Sequence, residues 1–113
     1  MVARNALLAA PPYPVEMALA ALGSNLKTAR LRRNLTVEET AQKIGAGRRA
    51  VADAERGKPS TSVAVYAALL WAFDLLGEMN SLADPVRDQE GQALERSRAK
   101  VRSRPVDALD NDF

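Results

Sequence analysis

The segment that most constrains the fold of this chain runs over residues 36–57 and reads TVEETAQKIGAGRRAVADAERG. Thr36 and Glu39 form a T-x-x-E capping box, which satisfies the free amides where a helix begins. Ala41 provides the small side chain that lets two helices cross closely, and Gly45 tolerates the positive φ that a sharp turn requires. The segment therefore predicts two short helices joined by a tight turn.

The two predicted helices cover Val37–Ile44 and Arg48–Arg56, and two arginines occupy the first exposed positions of the second helix. When a helix enters the major groove of DNA by its N-terminus, side chains at such positions face the base edges. Arginine is also the residue that most often makes a specific contact, through two hydrogen bonds to guanine. We therefore interpret the segment as a DNA-reading helix-turn-helix in which Arg48 and Arg49 contact bases. The alternative is an arginine pair that is merely solvated.

Composition restricts the function further. The chain has 113 residues, which suits one small domain with tails, and it contains no cysteine and no histidine. We find no nucleophile paired with a base, no metal-ligand spacing and no phosphate-binding glycine loop, so no enzyme, cofactor or metal site is expected. The net charge of +2 is uneven, because nine basic and four acidic residues lie between Ser24 and Ser62. Positive potential is thus concentrated on the half that bears the motif.

The rest of the chain is also predicted to be helical. Before the motif, Pro14 and apolar residues at helical spacing predict a helix over about Val15–Arg33. After the motif, the apolar run Val63–Phe73 lies in a helix predicted over Ser62–Leu76, and this run is too short to span a bilayer. A further short helix is expected near Glu78–Leu82.

The apolar run after the motif has no polar face. A helix that is apolar all round must be buried all round, and a domain of this size covers only one side of it. We therefore expect the remaining side to meet its counterpart in a homodimer through Tyr66, Trp71 and Phe73. The alternative is that these aromatic residues belong to the core of one protomer.

The two ends are predicted to differ from the domain between them. Residues 1–14 are interpreted as a flexible arm of a cytoplasmic protein, because their apolar run is shorter than that of a signal peptide and is followed by prolines. Residues 15–83 form the predicted DNA-binding domain. Charge dominates beyond Glu90, so residues 84–113 are predicted to be a polar, partly disordered tail.

Over roughly Leu22–Leu82 the chain resembles the Xre or phage-repressor-like helix-turn-helix regulators. The resemblance lies in LKTARLRRNLT, VEETAQKIGAGRRAVADAERGKPS and YAALLWAF, which occur in the family's order and spacing. It implies an all-α fold, namely a compact four- to five-helix repressor-like domain with a flexible N-terminal arm and a charged C-terminal tail. It also implies a buried ion pair between Arg30 and Glu55.

The same resemblance implies which residues contact double-stranded DNA at a pseudo-palindromic operator. The base-reading positions of the family correspond to Arg48, Arg49 and Asp53. For Asp53 the residues alone leave two roles open, repulsion of phosphate or acceptance of a hydrogen bond from a cytosine amino group. The phosphate-binding positions correspond to Thr36, Lys43, Arg56, Lys58, Ser60 and Thr61.

A longer resemblance, from PYPVEMALAALG to LADPVRDQEG and the basic tail, is to HipB-type antitoxins. It implies a repressor that autoregulates its operon and binds a HipA-type kinase toxin. Two alternatives remain. One is a phage-type or stand-alone Xre regulator without a toxin partner, and the other is a protein-interaction module that uses the same fold without reading DNA.

Overall fold

The structure is a computed structural model that describes residues 5–102. This part of the chain contains six α-helices, one 3-10 helix and no strand, so the predicted all-α fold is confirmed. The helices are α1 (Ala6–Ala9), α2 (Tyr13–Arg32), α3 (Val37–Ile44), α4 (Arg48–Glu55), α5 (Val63–Ala72), the 3-10 helix (Leu76–Ser81) and α6 (Gln89–Arg102).

The helix-turn-helix consists of α3 and α4. The capping box opens α3, because Thr36 Oγ1 accepts from the Glu39 amide at 3.0 Å and Glu39 Oε1 accepts from the Thr36 amide at 2.8 Å. Gly45 ends α3 in the left-handed conformation, with φ of 73°. Most residues with a Cβ avoid this conformation, so the glycine lets the chain turn at once into α4.

Helices α2 and α4 meet through their backbones at two glycines. A Cβ placed on Gly23 would lie 2.6 Å from the carbonyl oxygens of Ala54 and Glu55. A Cβ on Gly57, which has a φ of 69°, would collide with the carbonyl group of Leu19. A glycine inside a helix normally lowers helix stability by about 0.5–1 kcal/mol relative to alanine. Here the missing side chain is what allows α2 to pack directly against the end of α4.

The hydrophobic core lies among α2, α3, α4 and α5. The side chain of Thr40 is also fully buried there, and its hydroxyl donates to the Thr36 carbonyl oxygen at 2.9 Å. This internal hydrogen bond offsets the cost of removing the hydroxyl from water. The buried apolar residues are Leu26, Ala29, Ala41, Val51, Ala54, Tyr66, Leu69, Ala72 and Phe73.

The aromatic residues of the apolar run do not form one surface. Tyr66 and Phe73 are only 6% and 1% exposed, whereas Trp71 is 55% exposed. Tyr66 and Phe73 pack with Leu69 in the core of the domain, so neither is exposed for the predicted dimer interface. Of these three aromatic residues, Trp71 is the one that is exposed enough to contribute to an interface. Helix α5 also ends at Ala72, earlier than predicted, and the chain turns at Asp74 with a φ of 60°.

The N-terminal segment contains more helix than predicted. Asn5 Oδ1 accepts from the Leu7 amide at 3.0 Å and opens α1, although none of the residues of this short helix is buried. Helix α2 begins at Tyr13, two residues before the predicted Val15, with Pro14 in its first turn, where a proline lacks no hydrogen bond. The first four residues of the predicted arm lie outside the described residues.

The described residues up to Met79 form one compact unit, and those from Asn80 onward form a second, where the sequence predicted a boundary after residue 83. The second unit contains α6, so the predicted polar tail is helical over Gln89–Arg102. Two local interactions favour helix α6. Asp88 Oδ1 accepts from the Gly91 amide at 2.9 Å, and basic residues in the last turn interact favourably with the helix dipole. Residues 103–113 lie outside the described part.

Candidate DNA-binding surface

A buried ion pair fixes the end of α4 against α2. Arg30 Nε donates to Glu55 Oε2 at 2.6 Å and Arg30 Nη2 donates to Glu55 Oε1 at 3.1 Å, which gives the bidentate geometry of a strong pair. Both side chains are 9% exposed. The hydrogen bonds that Arg30 donates to the Glu55 carboxylate raise the pKa of Arg30, against the lowering effect of burial. Arg30 Nη1 also donates to the Leu35 carbonyl oxygen at 2.8 Å, and this hydrogen bond holds the loop before α3 against α2.

The two arginines that open α4 face outward. Val51 and Ala54 are fully buried on the inner side of the helix, so this side is fixed against the core. The side chains of Arg48 and Arg49 are 73% and 82% exposed. Because both lie in the first turn of a helix whose far end is held by the Arg30 ion pair, they project from a rigid support.

Asp53 is surrounded by cations. Its Oδ1 accepts from Arg56 Nη2 and lies 3.8 Å from Arg49 Nε, and its Oδ2 lies 3.6 Å from Lys58 Nζ. Its side chain is only 16% exposed. The carboxylate is thus engaged by cations of the protein itself. The predicted base contact of Asp53 stays a prediction.

The sequence interpretation missed a second acidic partner. Glu38 Oε2 in α3 lies 3.1 Å from Arg48 Nη2, and both side chains are well exposed. An ion pair in this environment is weak, so it leaves Arg48 free to exchange partners. Sequence spacing contains no signal for this contact, because it depends on how the turn brings α3 and α4 together.

The residues predicted to bind phosphate fall into four groups. Lys43 and Ser60 are exposed, and Arg56 and Lys58 belong to the cluster around Asp53. Thr36 is exposed, with its hydroxyl in the capping box. The Thr61 hydroxyl is shielded from solvent and makes no hydrogen bond within residues 5–102. Its predicted phosphate contact stays a prediction.

Residues 5–102 contain no group of three or more acidic side chains close enough to hold a metal ion. None of the helices in the described region is long and apolar enough to cross a membrane. The helix-turn-helix exposes basic side chains, among them Lys43, Arg48 and Arg49.

Comparison with known proteins agrees with this geometry. The family model described as a helix-turn-helix domain matches residues 21–82, which include α3, α4 and α5 and most of α2. No curated protein and no solved structure matches the chain significantly. A domain of this kind indicates a DNA-binding regulator. Since the match covers more than half of the sequence, the chain belongs to the helix-turn-helix domain family.

Proposed function

We propose that this protein is a sequence-specific DNA-binding transcriptional repressor that reads bases with Arg48 and Arg49. The observation that carries the proposal is the exposure of both guanidinium groups at the start of a helix whose opposite side is buried. Each guanidinium can donate two parallel hydrogen bonds to O6 and N7 of a guanine in the major groove. A protein-interaction module would be expected to present an acidic or apolar surface at this place.

Rigid support favours base reading over loose phosphate attraction. The buried Arg30–Glu55 pair and the glycine contact with α2 hold the far end of α4. A support of this kind lowers the entropy lost when the arginine side chains are ordered on the bases. Exposed Lys43, which lies in the last turn of α3, is suited to a backbone phosphate, where a positive charge is sufficient.

Replacing Arg48 and Lys43 separately tests base reading. We expect Arg48→Ala to weaken binding to the preferred duplex by about 1–3 kcal/mol and to abolish the preference at one base pair. Lys43→Ala serves as the matched control, since it should weaken binding to all sequences alike and reduce the salt slope by about 1. Titrations at several salt concentrations measure both effects. Equal and sequence-independent losses in the two variants would contradict the assignment of Arg48.

We further propose that the protein binds as a homodimer through the outer side of α5. Trp71 and Val63 are both exposed on this helix, and Ala67 lies between them at helical spacing. An exposed tryptophan beside small and branched apolar side chains is typical of the centre of an interface. A twofold dimer would place two copies of α4 about 34–36 Å apart and would require a pseudo-palindromic operator.

A charge at the centre of this surface tests the dimer. We expect Trp71→Glu to yield monomers, because pairing the two copies would bury two unpaired carboxylates. Sedimentation at micromolar concentration measures the mass. Leu31→Glu is the control, since Leu31 is similarly exposed but lies on α2, and this variant should remain dimeric. A monomeric parent protein would contradict the proposal directly.

Within the repressor class, we propose the antitoxin of a HipA-type toxin–antitoxin operon that represses its own promoter. Two features support this narrower function. The resemblance to HipB-type antitoxins extends beyond the family match, and α6 contains no buried residue and exposes Leu94. The sequence of the adjacent reading frame distinguishes this function from that of a phage-type or stand-alone regulator, because only the antitoxin requires a kinase-like neighbour.

A further inference from the structure

One carboxylate near the end of α4 lies beneath three exposed cations, one from the first turn of the helix and two that follow its last residue. We call Arg49, Arg56 and Lys58 the cationic cluster. Their side chains are 82%, 63% and 46% exposed, whereas that of Asp53 is 16% exposed. The main chain is tied to the same residue, since the Lys58 amide donates to the Asp53 carbonyl oxygen at 3.0 Å. Asp53 therefore links side chains of α4 to the loop that follows this helix.

The Asp53 carboxylate reduces the repulsion among the three cations of the cluster. Three positive side chains that converge on one surface repel each other, and long side chains also lose rotamer entropy when they are held in one place. A carboxylate below the surface attracts all three at once, and its low exposure limits screening by solvent. The surface still carries an excess of positive charge, since three cations face one anion.

We propose that Asp53 is a positioning residue that holds the cationic cluster in the arrangement that binds operator DNA, and that sequence discrimination depends on it. The inference rests on the proposed DNA-binding function. It assigns Asp53 no contact with DNA, because the carboxylate acts only through Arg49, Arg56 and Lys58. An acidic residue at a DNA-binding surface would then increase specificity although its own charge opposes binding.

The proposal and simple electrostatics predict opposite results for the operator. If Asp53 were only a negative charge near DNA, Asp53→Asn would strengthen binding to every sequence and steepen its salt dependence. If Asp53 positions the cluster, the same change should weaken binding to the operator while it strengthens binding to unrelated DNA. Asparagine is nearly isosteric with aspartate, so the substitution removes the charge and keeps the volume.

Glu38→Gln is a charge-matched control. It also removes one negative charge from the helix-turn-helix, but Glu38 contacts one exposed cation and not a cluster. The probes are a duplex selected in vitro from a randomised library with the full chain, and a random-sequence duplex of the same length. Titrations of each variant at several salt concentrations give the affinity and the salt slope for both probes.

We expect Glu38→Gln to raise the affinity for both duplexes by a similar factor, about two- to threefold. Asp53→Asn should raise the affinity for the random duplex to a similar degree, but should lower that for the selected duplex about fivefold. The ratio of the two affinities then falls about tenfold. The salt slope on the selected duplex should decrease in magnitude by about 1, because one phosphate contact is lost.

Asp53→Glu adds a second test, since it keeps the charge and moves the carboxylate by one methylene. Positioning predicts lower discrimination with unchanged affinity for the random duplex. The inference is overturned if Asp53→Asn behaves like Glu38→Gln on both probes. It is also overturned if binding to both probes falls in proportion to unfolded protein in thermal melts, with the salt slopes unchanged. A parent protein that selects no duplex would instead refute the proposed function, and the inference with it.

Discussion

Truncation of Glu55 to alanine is expected to lower the free energy of unfolding by about 3–5 kcal/mol, because it leaves the Arg30 guanidinium buried without its partner. Arginine does not lose its proton at accessible pH, so the side chain cannot escape this situation by becoming neutral. This loss is a large fraction of the free energy of unfolding of a small domain. Denaturant unfolding followed by circular dichroism measures it.

The control for this prediction is Glu38→Ala. Glu38 also pairs with an arginine, but that pair is exposed, and its removal should change the stability by no more than about 0.5 kcal/mol. Replacement of both Arg30 and Glu55 by apolar residues of similar volume should recover part of the loss, since no charge then remains buried. If Glu55→Ala and Glu38→Ala had equal effects, the Arg30–Glu55 pair would not be buried in solution.

Gly23→Ala is expected to lower the free energy of unfolding by about 1–3 kcal/mol. Helix propensity alone predicts the opposite sign, a gain of about 0.8–1 kcal/mol for an alanine inside a helix. The structure reverses this expectation, because the new Cβ would lie 2.6 Å from two carbonyl oxygens of α4, and backbone atoms cannot rotate away. The helices would have to separate.

Gly77→Ala is the matched control, because a Cβ on Gly77 meets no atom within 4 Å. It should change the stability by no more than about 0.5 kcal/mol. Denaturant unfolding of both variants against the parent provides the comparison. A stabilised Gly23→Ala protein would mean that α2 does not pack against α4 as closely as described.

Local sequence signals predicted the helix-turn-helix well. The capping box and Gly45 act within one turn of the chain, and both have the geometry that their residue types imply. The limits predicted for α3 and α4 agree with the structure to within one residue for this reason. The Arg30–Glu55 pair was expected from the resemblance to repressors and not from spacing, because nothing local connects residues so far apart in sequence.

Other features depend on packing or on a single cap. The continuous apolar run of α5 contains no polar positions, so periodicity did not indicate that Tyr66 and Phe73 face the core while Trp71 does not. Composition suggested disorder in the C-terminal part, but Asp88 caps α6 locally. The contacts of Asp53 combine a helical neighbour with a loop residue, and the path of that loop could not be read from residue types.

The backbone contact at Gly23 and Gly57 separates the packing of α4 from its outward side, which is the proposed base-reading surface. Because this contact contains no side chains, rotamer changes cannot adjust it, and the inclination of α4 is set by main-chain atoms. The outward positions of α4 take no part in that packing. Arg48 and Arg49 can therefore be exchanged for other residues without tilting the helix. Under the proposed function, a new base preference would then need only a few substitutions on an unchanged frame.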